Sequence, residues 1–248
     1  MFAIFKKELR SYFINAIGYV FAGVFLAVSA VLCCVTTLHS NSYDTSSYFT
    51  AVLFLLIIII PLLTMKLFAE EKKLRTEQML LTAPVSIGGM ITGKFLAALT
   101  MFGGGVLLSC LNFIPLYVYG SKERDGVPYS EMHVGPVSAE IISCVIGIIL
   151  IGAAFIAIGM FVSSLTENQL AAAVVTVTII FVMLAMDMLN SFISAYAIRF
   201  VLSWFSIFTR FADFTDGIFS FSSVLYFLSI TGVFLFLTAR IYDKRRWG

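Results

Sequence analysis

Six long apolar runs with almost no charge dominate the pattern of hydrophobic and polar positions along the chain. A helix that crosses about 30 Å of hydrocarbon needs roughly 20 mostly apolar residues. Runs such as Leu53–Ile60 do not alternate between apolar and polar residues, as the strands of a membrane barrel do. The pattern therefore predicts an all-α integral membrane protein, a single transmembrane domain over 1–248. Its six transmembrane helices are expected at about 17–38, 51–69, 95–119, 139–162, 170–189 and 222–239.

Two further segments are amphipathic rather than uniformly apolar, and they are not counted as spans. Residues 2–13 predict an N-terminal interfacial helix that lies on the inner membrane surface and leads into the first span. Residues 192–214 predict re-entrant or interfacial helices between spans five and six. The apolar face of the first segment consists of Phe2, Phe5, Leu9 and Tyr12, and its basic residues are Lys6, Lys7 and Arg10.

Composition supports the same fold class. The chain is 60% hydrophobic and 12% charged, whereas soluble domains average about 45–50% apolar and about 25% charged residues. A soluble chain of this size needs more polar side chains than that to cover its surface. The net charge of only +2 speaks against nucleic acid as a partner and leaves the lipid bilayer as the expected one.

The distribution of Lys and Arg predicts the orientation. With the N-terminus inside, twelve of these residues face the cytoplasm and four face the other side. Both termini are therefore expected in the cytoplasm of a bacterium, with the chain in its inner membrane. The first apolar run has about 22 residues, longer than a signal-peptide core of about 7–15, so a cleaved signal peptide is not expected.

Catalytic and nucleotide-binding motifs are not found in the sequence. Gly103–Gly105 lies in an apolar run and lacks the lysine of a phosphate-binding loop, and no His-Glu-x-x-His motif occurs. All four cysteines fall inside predicted spans, where they are expected to be packing residues. The chain is therefore predicted not to be an enzyme, with no catalytic residue, no metal site and no bound cofactor.

The charged segment 70–84 is the most informative loop. Its spacing predicts a continuous helix over 70–83, with ion pairs Glu71–Arg75 and Glu70–Lys73 and a stop at Pro84. Leu74 and Leu81 lie seven residues apart and share a face. A charged helix with a small apolar edge is typical of a docking element, although a connector that touches nothing would also fit. The candidate docking residues are Glu70, Glu71, Lys72, Leu74, Arg75, Glu77 and Leu81.

The segment 192–214 carries a narrow polar stripe beside a sector of aromatic residues, if it forms a single helix. Such a split is typical of a helix at the membrane interface, and we consider it as a gate or as a passive anchor. The candidate gate residues are Arg199, Phe200, Trp204, Phe208 and Arg210. Asp187, near the end of span five, is the candidate intramembrane acid, and a hydrated structural role is the alternative for it.

The order of these elements resembles the ABC-2 family of ABC transporter permeases. The resemblance is carried by Leu80-Leu-Thr-Ala-Pro-Val-Ser86, by Gly93-Lys94-Phe95 at the start of span three, and by Ser163-Ser-Leu-Thr-Glu-Asn-Gln169 before span five. Within the family, the sequence is similar to the gliding-motility-type permease subunit.

The resemblance implies a half-transporter that works with a second permease copy or a related membrane subunit and with separate ATP-binding cassette subunits. ATP and Mg would be bound by that partner and not by this chain. The helix at 70–83 would be the coupling helix, and 190–220 would form extracellular re-entrant helices. The implied activity is ATP-driven transport, with export as the expected direction.

Two other classes of protein stay open at the level of sequence. An ion-coupled secondary transporter or channel would need ionisable groups or broken helices at the midplane, and this chain has almost none. A non-transport membrane scaffold, or the substrate-binding membrane subunit of a vitamin importer, would leave the charged segment at 70–83 unexplained.

Overall fold

The structure is a computed structural model that describes residues 1–14, 16–39, 43–78, 86–124, 136–192 and 206–247. Every regular element in these ranges is helical. The α-helices are α1 (Phe2–Ile14), α2 (Ala16–Cys33), α3 (Ser46–Thr64), α4 (Lys66–Lys73), α5 (Ile87–Ser109), α6 (Ile114–Arg124), α7 (Ser138–Leu165), α8 (Gln169–Phe192), α9 (Ile207–Thr215) and α10 (Phe221–Trp247). A π-helical turn (Cys34–Leu38) extends α2, and a 3₁₀ turn (Cys110–Phe113) joins α5 to α6.

Six helices of the described chain are long and apolar enough to cross a membrane, which confirms the predicted number of spans. They cover Gly18–Leu38, Ser46–Lys73, Ile87–Tyr119, Ser138–Leu165, Gln169–Met186 and Phe221–Arg246. The third begins eight residues before the predicted start at 95. The prediction excluded Lys94 because of its charge, but the structure buries Lys94 inside α5.

The fourth span, α7, is the centre of the bundle. In the most apolar stretch of α7, 72% is buried inside the bundle, whereas the corresponding shares are 17% for α10 and 22% for α8. Its glycines permit this position because they let neighbouring side chains approach its backbone. A Cβ added to Gly152 would lie 2.0 Å from Phe102 Cε1, and one added to Gly159 would lie 2.2 Å from Thr64 Oγ1. The spans α3, α5, α8 and α10 therefore pack against α7, whereas the first span, α2, packs against α3 and α5. Large apolar side chains remain exposed on the outer faces of the bundle.

The N-terminal helix is confirmed as α1, which packs against α2 and α5. The predicted apolar face is only partly correct. The buried side chains are Ile4 and Tyr12, whereas Phe2 is 76% exposed. The Tyr12 hydroxyl donates a hydrogen bond to the Leu63 carbonyl at 3.3 Å, so α1 is attached to the end of α3. Its position on the membrane surface stays a prediction.

The predicted continuous helix over 70–83 is wrong, because α4 ends at Lys73. Arg75 adopts a left-handed conformation with φ 56°. Its N–H donates to the Lys72 carbonyl at 3.0 Å, and the Thr76 N–H donates to the Glu71 carbonyl at 3.0 Å. These two bonds form a Schellman cap. Glycine usually occupies the left-handed position of this cap, and because Arg75 stands there instead, the helix end is not recognisable from sequence.

The polar stripe predicted over 192–214 does not lie on one continuous helix. Helix α8 continues to Phe192, and 193–205 lie outside the described residues. Ser206 has an extended backbone, with φ −67° and ψ 111°, and α9 begins after it at Ile207. A stripe calculated at 100° per residue through Ser206 therefore does not describe one helix face.

Candidate functional site

The break between α3 and α4 at Met65 is held by a side chain of the central helix. Ser163 Oγ accepts hydrogen bonds from the N–H groups of Phe68 (3.2 Å) and Ala69 (3.1 Å). The same hydroxyl donates to the Met65 carbonyl at 3.2 Å. A side chain that enters the backbone ladder is a recognised cause of a helix break. The bend is therefore a tertiary feature, fixed by α7.

A buried lysine joins α1, α4 and α5 at this end of the bundle. Lys94 Nζ is 2.8 Å from Glu71 Oε1 and 3.0 Å from Glu8 Oε1. It also donates to the Leu67 carbonyl at 2.8 Å. The Lys94 side chain is 1% exposed, and those of Glu8 and Glu71 are 13% and 17% exposed. All three N–H donors of the ammonium are thus used, as a buried charge requires.

Neighbouring groups reinforce this ion cluster, which consists of Lys94, Glu8 and Glu71. The ammonium lies 5.1 Å from the centre of the Phe68 ring, a cation–π contact. Burial raises the pKa of the Tyr12 phenol, and the negative charge of Glu8 raises it further. Tyr12 therefore stays protonated and keeps its bond to the Leu63 carbonyl, so α1 is held to the bend in two places.

The segment after α4 is attached to the last helix. Arg245 Nη1 is 2.8 Å from Glu77 Oε1, and its Nη2 donates to the Ser164 carbonyl at 3.0 Å. The guanidinium also lies 5.4 Å from the centre of the Tyr242 ring. One arginine thus connects α10, the end of α7 and the chain beyond the cap. The region between α4 and Gln78 is tied to four other helices: α1, α5, α7 and α10.

The predicted docking residues are only partly brought together. The predicted pairs Glu71–Arg75 and Glu70–Lys73 do not form: Glu71 binds Lys94, and Glu70 lies 3.9 Å from Lys66. Lys72 is half-buried, and Arg75 is exposed within the cap. Leu74 is 63% exposed, so one half of the predicted apolar edge is on the surface. Leu81 lies outside the described residues.

Of the predicted gate residues, Phe208 and Arg210 lie in the described chain. The Phe208 ring is 5.3 Å from that of Phe54 on α3. Arg210 Nη1 donates to Ser222 Oγ at 2.9 Å, and its guanidinium lies 4.8 Å from the Tyr226 ring centre. Arg199, Phe200 and Trp204 lie outside the described residues. Asp187 is in the last turns of α8, and its side chain is outside the described part.

Sequence reasoning missed the residues that organise this end of the bundle. The sequence identifies Lys94 as a topology charge and Ser163 as part of a turn, and both as members of family motifs, but it assigns neither a tertiary role, and it does not single out Glu8. The signal for Lys94 was its place inside an apolar run, where a charge needs a buried partner. No sequence feature identifies Glu8 and Glu71 as those partners, because they lie 86 and 23 residues away.

Replacing Ser163 by alanine is expected to destabilise the bend. Buried N–H groups of Phe68 and Ala69 would lose their acceptor, at a cost of about 1–3 kcal/mol. The matched control is Ser164→Ala, because Ser164 Oγ donates only to the Phe161 carbonyl of its own helix. The free energy of unfolding in detergent should fall for the first variant and stay near the wild-type value for the second. Equal losses would contradict the assigned role.

The described residues hold no group of three or more His, Cys, Asp or Glu side chains placed to bind a metal ion. Cys33 and Cys144 are buried, whereas Cys34 is exposed. The features of this site are structural ties between helices.

Six apolar helices, one of them central, define a multi-pass membrane protein. The chain belongs to the ABC-2 family of transporters, because the family model described as "ABC-2 family transporter protein" matches residues 35–241, well over half of its length. A comparison with curated proteins found no match. Membrane proteins of this family are the transmembrane components, and separate ATP-binding subunits hydrolyse the ATP.

Proposed function

We propose that the chain is the permease subunit of an ATP-driven exporter, and that a separate ATP-binding subunit docks beside the end of α4. A single observation carries the proposal. Helix α4 ends at the Arg75 cap, Leu74 is exposed there, and this region is tied to four helices by Lys94, Ser163 and Arg245. A surface that is attached in this way transmits a displacement to the membrane helices.

The ion cluster would transmit a movement of α4 to α1 and α5. A displacement of α4 by the docked subunit would move Glu71, and Lys94 would carry the movement into α5 while Glu8 carries it into α1. The Ser163 hydroxyl would carry the same displacement to α7, around which the bundle packs. Rigid helices joined by short hydrogen bonds suit this role, because coupling over long distances needs contiguous packed elements.

At the opposite end of the bundle, α9 fits the proposed gate. Phe211 and Phe214 of α9 are buried against Gly147 of α7, whose added Cβ would lie 2.9 Å from the Phe214 ring. A shift of α7 would therefore move α9 directly. We propose that a second copy of the chain, or a related subunit, completes the pathway. The finer resemblance to gliding-motility-type permeases does not by itself assign a role in gliding.

The double variant Leu74→Asp, Leu81→Asp is expected to release the ATP-binding subunit while the permease stays folded. The carboxylate that replaces the exposed Leu74 side chain would be left unpaired against the partner, so binding should weaken at least tenfold. The Leu81 change extends the test to the rest of the predicted docking segment. Co-purification in mild detergent and stimulated ATP hydrolysis are the measurements.

Leu165→Asp is the control for this variant, since Leu165 is also half-exposed, at the end of α7. Retention of the ATP-binding subunit is expected there. Full co-purification and stimulated hydrolysis in the double variant would show that docking takes place elsewhere.

Cysteine labelling in whole cells tests the proposed orientation. In a background without native cysteines, single cysteines at Ser42, Ser121 and Ser220 are expected to react with an impermeant maleimide, and one at Thr76 is not. Both termini would then face the cytoplasm, together with the docking surface. Reaction at Thr76 with silence at Ser121 would invert the topology and remove the docking proposal.

A further inference from the structure

A groove of about 430 Å³ runs between α8 and α10. Its walls are formed by residues from Thr178 to Met186 of α8 and from Tyr226 to Phe234 of α10, and they are almost entirely apolar. Each wall covers eight residue steps, about 12 Å of helix. These are the two least buried spans of the described bundle, and Val182 in the groove wall is 44% exposed. The groove thus faces the hydrocarbon of the bilayer.

A positive charge stands at one end of this groove. The Arg210 guanidinium lies 4.8 Å from the ring of Tyr226, which is itself a groove residue. Its Nη1 donates to Ser222 Oγ at 2.9 Å. The nearby Asp213 accepts a hydrogen bond from Ser223 at 2.9 Å, and no carboxylate of the described chain forms an ion pair with Arg210. The arginine is half-buried, and within the described residues one of its five N–H groups donates a hydrogen bond, the one to Ser222.

We propose that this groove binds an anionic glycerophospholipid, with one acyl chain between α8 and α10 and the phosphate on Arg210. The apolar walls suit hydrocarbon, and the guanidinium suits a phosphate, with which it forms paired charge-assisted hydrogen bonds. Ser222 holds the guanidinium over the Tyr226 ring and so keeps it at the mouth of the groove.

Charge favours this occupant over a second copy of the chain. A protein face covering the groove would desolvate Arg210, and no carboxylate of the described chain forms an ion pair with it. Burying a charge without a counter-charge is strongly unfavourable. An anionic headgroup supplies the missing charge while part of the arginine stays in contact with water. This inference does not depend on the direction of transport or on the docking surface.

The test measures lipid binding to the full chain, purified in mild detergent with any subunits that accompany it. Apparent affinities for phosphatidylglycerol and phosphatidylcholine of equal chain length are compared by native mass spectrometry. Both lipids carry a phosphate, but the choline cation of phosphatidylcholine cancels its charge and is repelled by Arg210, so wild-type protein is expected to prefer phosphatidylglycerol about tenfold. Glycerophosphate without acyl chains is expected not to bind.

Substitutions at Arg210 and at Met183 test the contributions of the lipid headgroup and of the acyl chain separately. Arg210→Gln is expected to lower the phosphatidylglycerol affinity to that for phosphatidylcholine, whereas Arg210→Lys keeps most of the preference because the charge remains. Met183→Trp fills the groove and should weaken both lipids about tenfold. Phe181→Trp is its control, since Phe181 is an exposed residue of α8 that does not line the groove.

Three results would overturn the proposal. Equal affinity of the wild type for both lipids would mean that the groove takes any annular lipid. A phosphatidylglycerol preference that survives in Arg210→Gln would place the headgroup elsewhere. A dimer that dissociates in Met183→Trp, with no lipid bound to the wild type, would identify the groove as an interface between copies of the chain.

Discussion

Replacing Lys94 by methionine is expected to lower the free energy of unfolding by about 3 kcal/mol. The change removes the ammonium from two carboxylates that lie within 3.0 Å of it and are largely buried. Loss of one member of a buried ion pair costs about 3–5 kcal/mol, because the other member is left as an unpaired charge. The lower end applies here, since Lys7 lies 3.7 Å from both carboxylates. A titration with denaturing detergent, followed by circular dichroism, measures the loss.

Two further variants make the Lys94 result specific. Lys7→Met removes a side chain that is 62% exposed, so its loss should be about 0.5 kcal/mol or less. The triple variant Lys94→Met, Glu8→Gln, Glu71→Gln has no unpaired charge left and should recover most of the stability. Wild-type stability in Lys94→Met alone would mean that the cluster does not hold α1, α4 and α5 together.

Gly152→Ala is expected to destabilise the bundle by about 1–3 kcal/mol through overpacking. The new Cβ would lie 2.0 Å from Phe102 Cε1, and the Phe102 ring is fully buried with the Phe25 ring 6.3 Å away. The same detergent titration measures the loss of stability. Phe102→Leu in the same chain should restore part of it by making room for the methyl group.

Gly104→Ala on α5 is the matched control for Gly152→Ala, because a Cβ there meets nothing within 4 Å. Alanine favours a helix over glycine by about 0.5–1 kcal/mol, so this variant should be neutral or slightly more stable. A loss equal to that of Gly152→Ala would mean that the measured effect is not due to packing against Phe102.

The spans were predictable because their signal is local. A run of about 20 apolar residues has few alternatives to a membrane helix, and all six runs are helices in the structure. Their ends were less predictable, since a charge was taken as a boundary. Lys94 shows why that rule fails: a lysine lies inside an apolar helix when tertiary partners neutralise it.

The candidate site was less predictable because tertiary contacts determine it. Local spacing paired Glu71 with Arg75, but Glu71 gains more from the buried ammonium of Lys94, and Arg75 turns away in the helix cap. A left-handed arginine costs about 1–2 kcal/mol, so the contacts on either side of the cap must favour it. The hydrogen bond that Arg245 donates to Glu77, 168 residues away, is one such contact.

The central position of α7 has a consequence for how the protein is made. The second and third spans leave the ribosome before α7, the helix that they pack against. At about 5–20 residues per second, the stretch from the end of α4 to the end of α7 takes on the order of 5–20 s to translate. During that interval Phe68 and Ala69 have no Ser163 hydroxyl to bind, and Phe102 has no glycine groove to enter.

The nascent bundle is thus an incomplete assembly that membrane chaperones and proteases can recognise. Substitutions that weaken α7 prolong this exposed state. They should reduce the amount of protein in the membrane more than the activity of the molecules that complete their assembly.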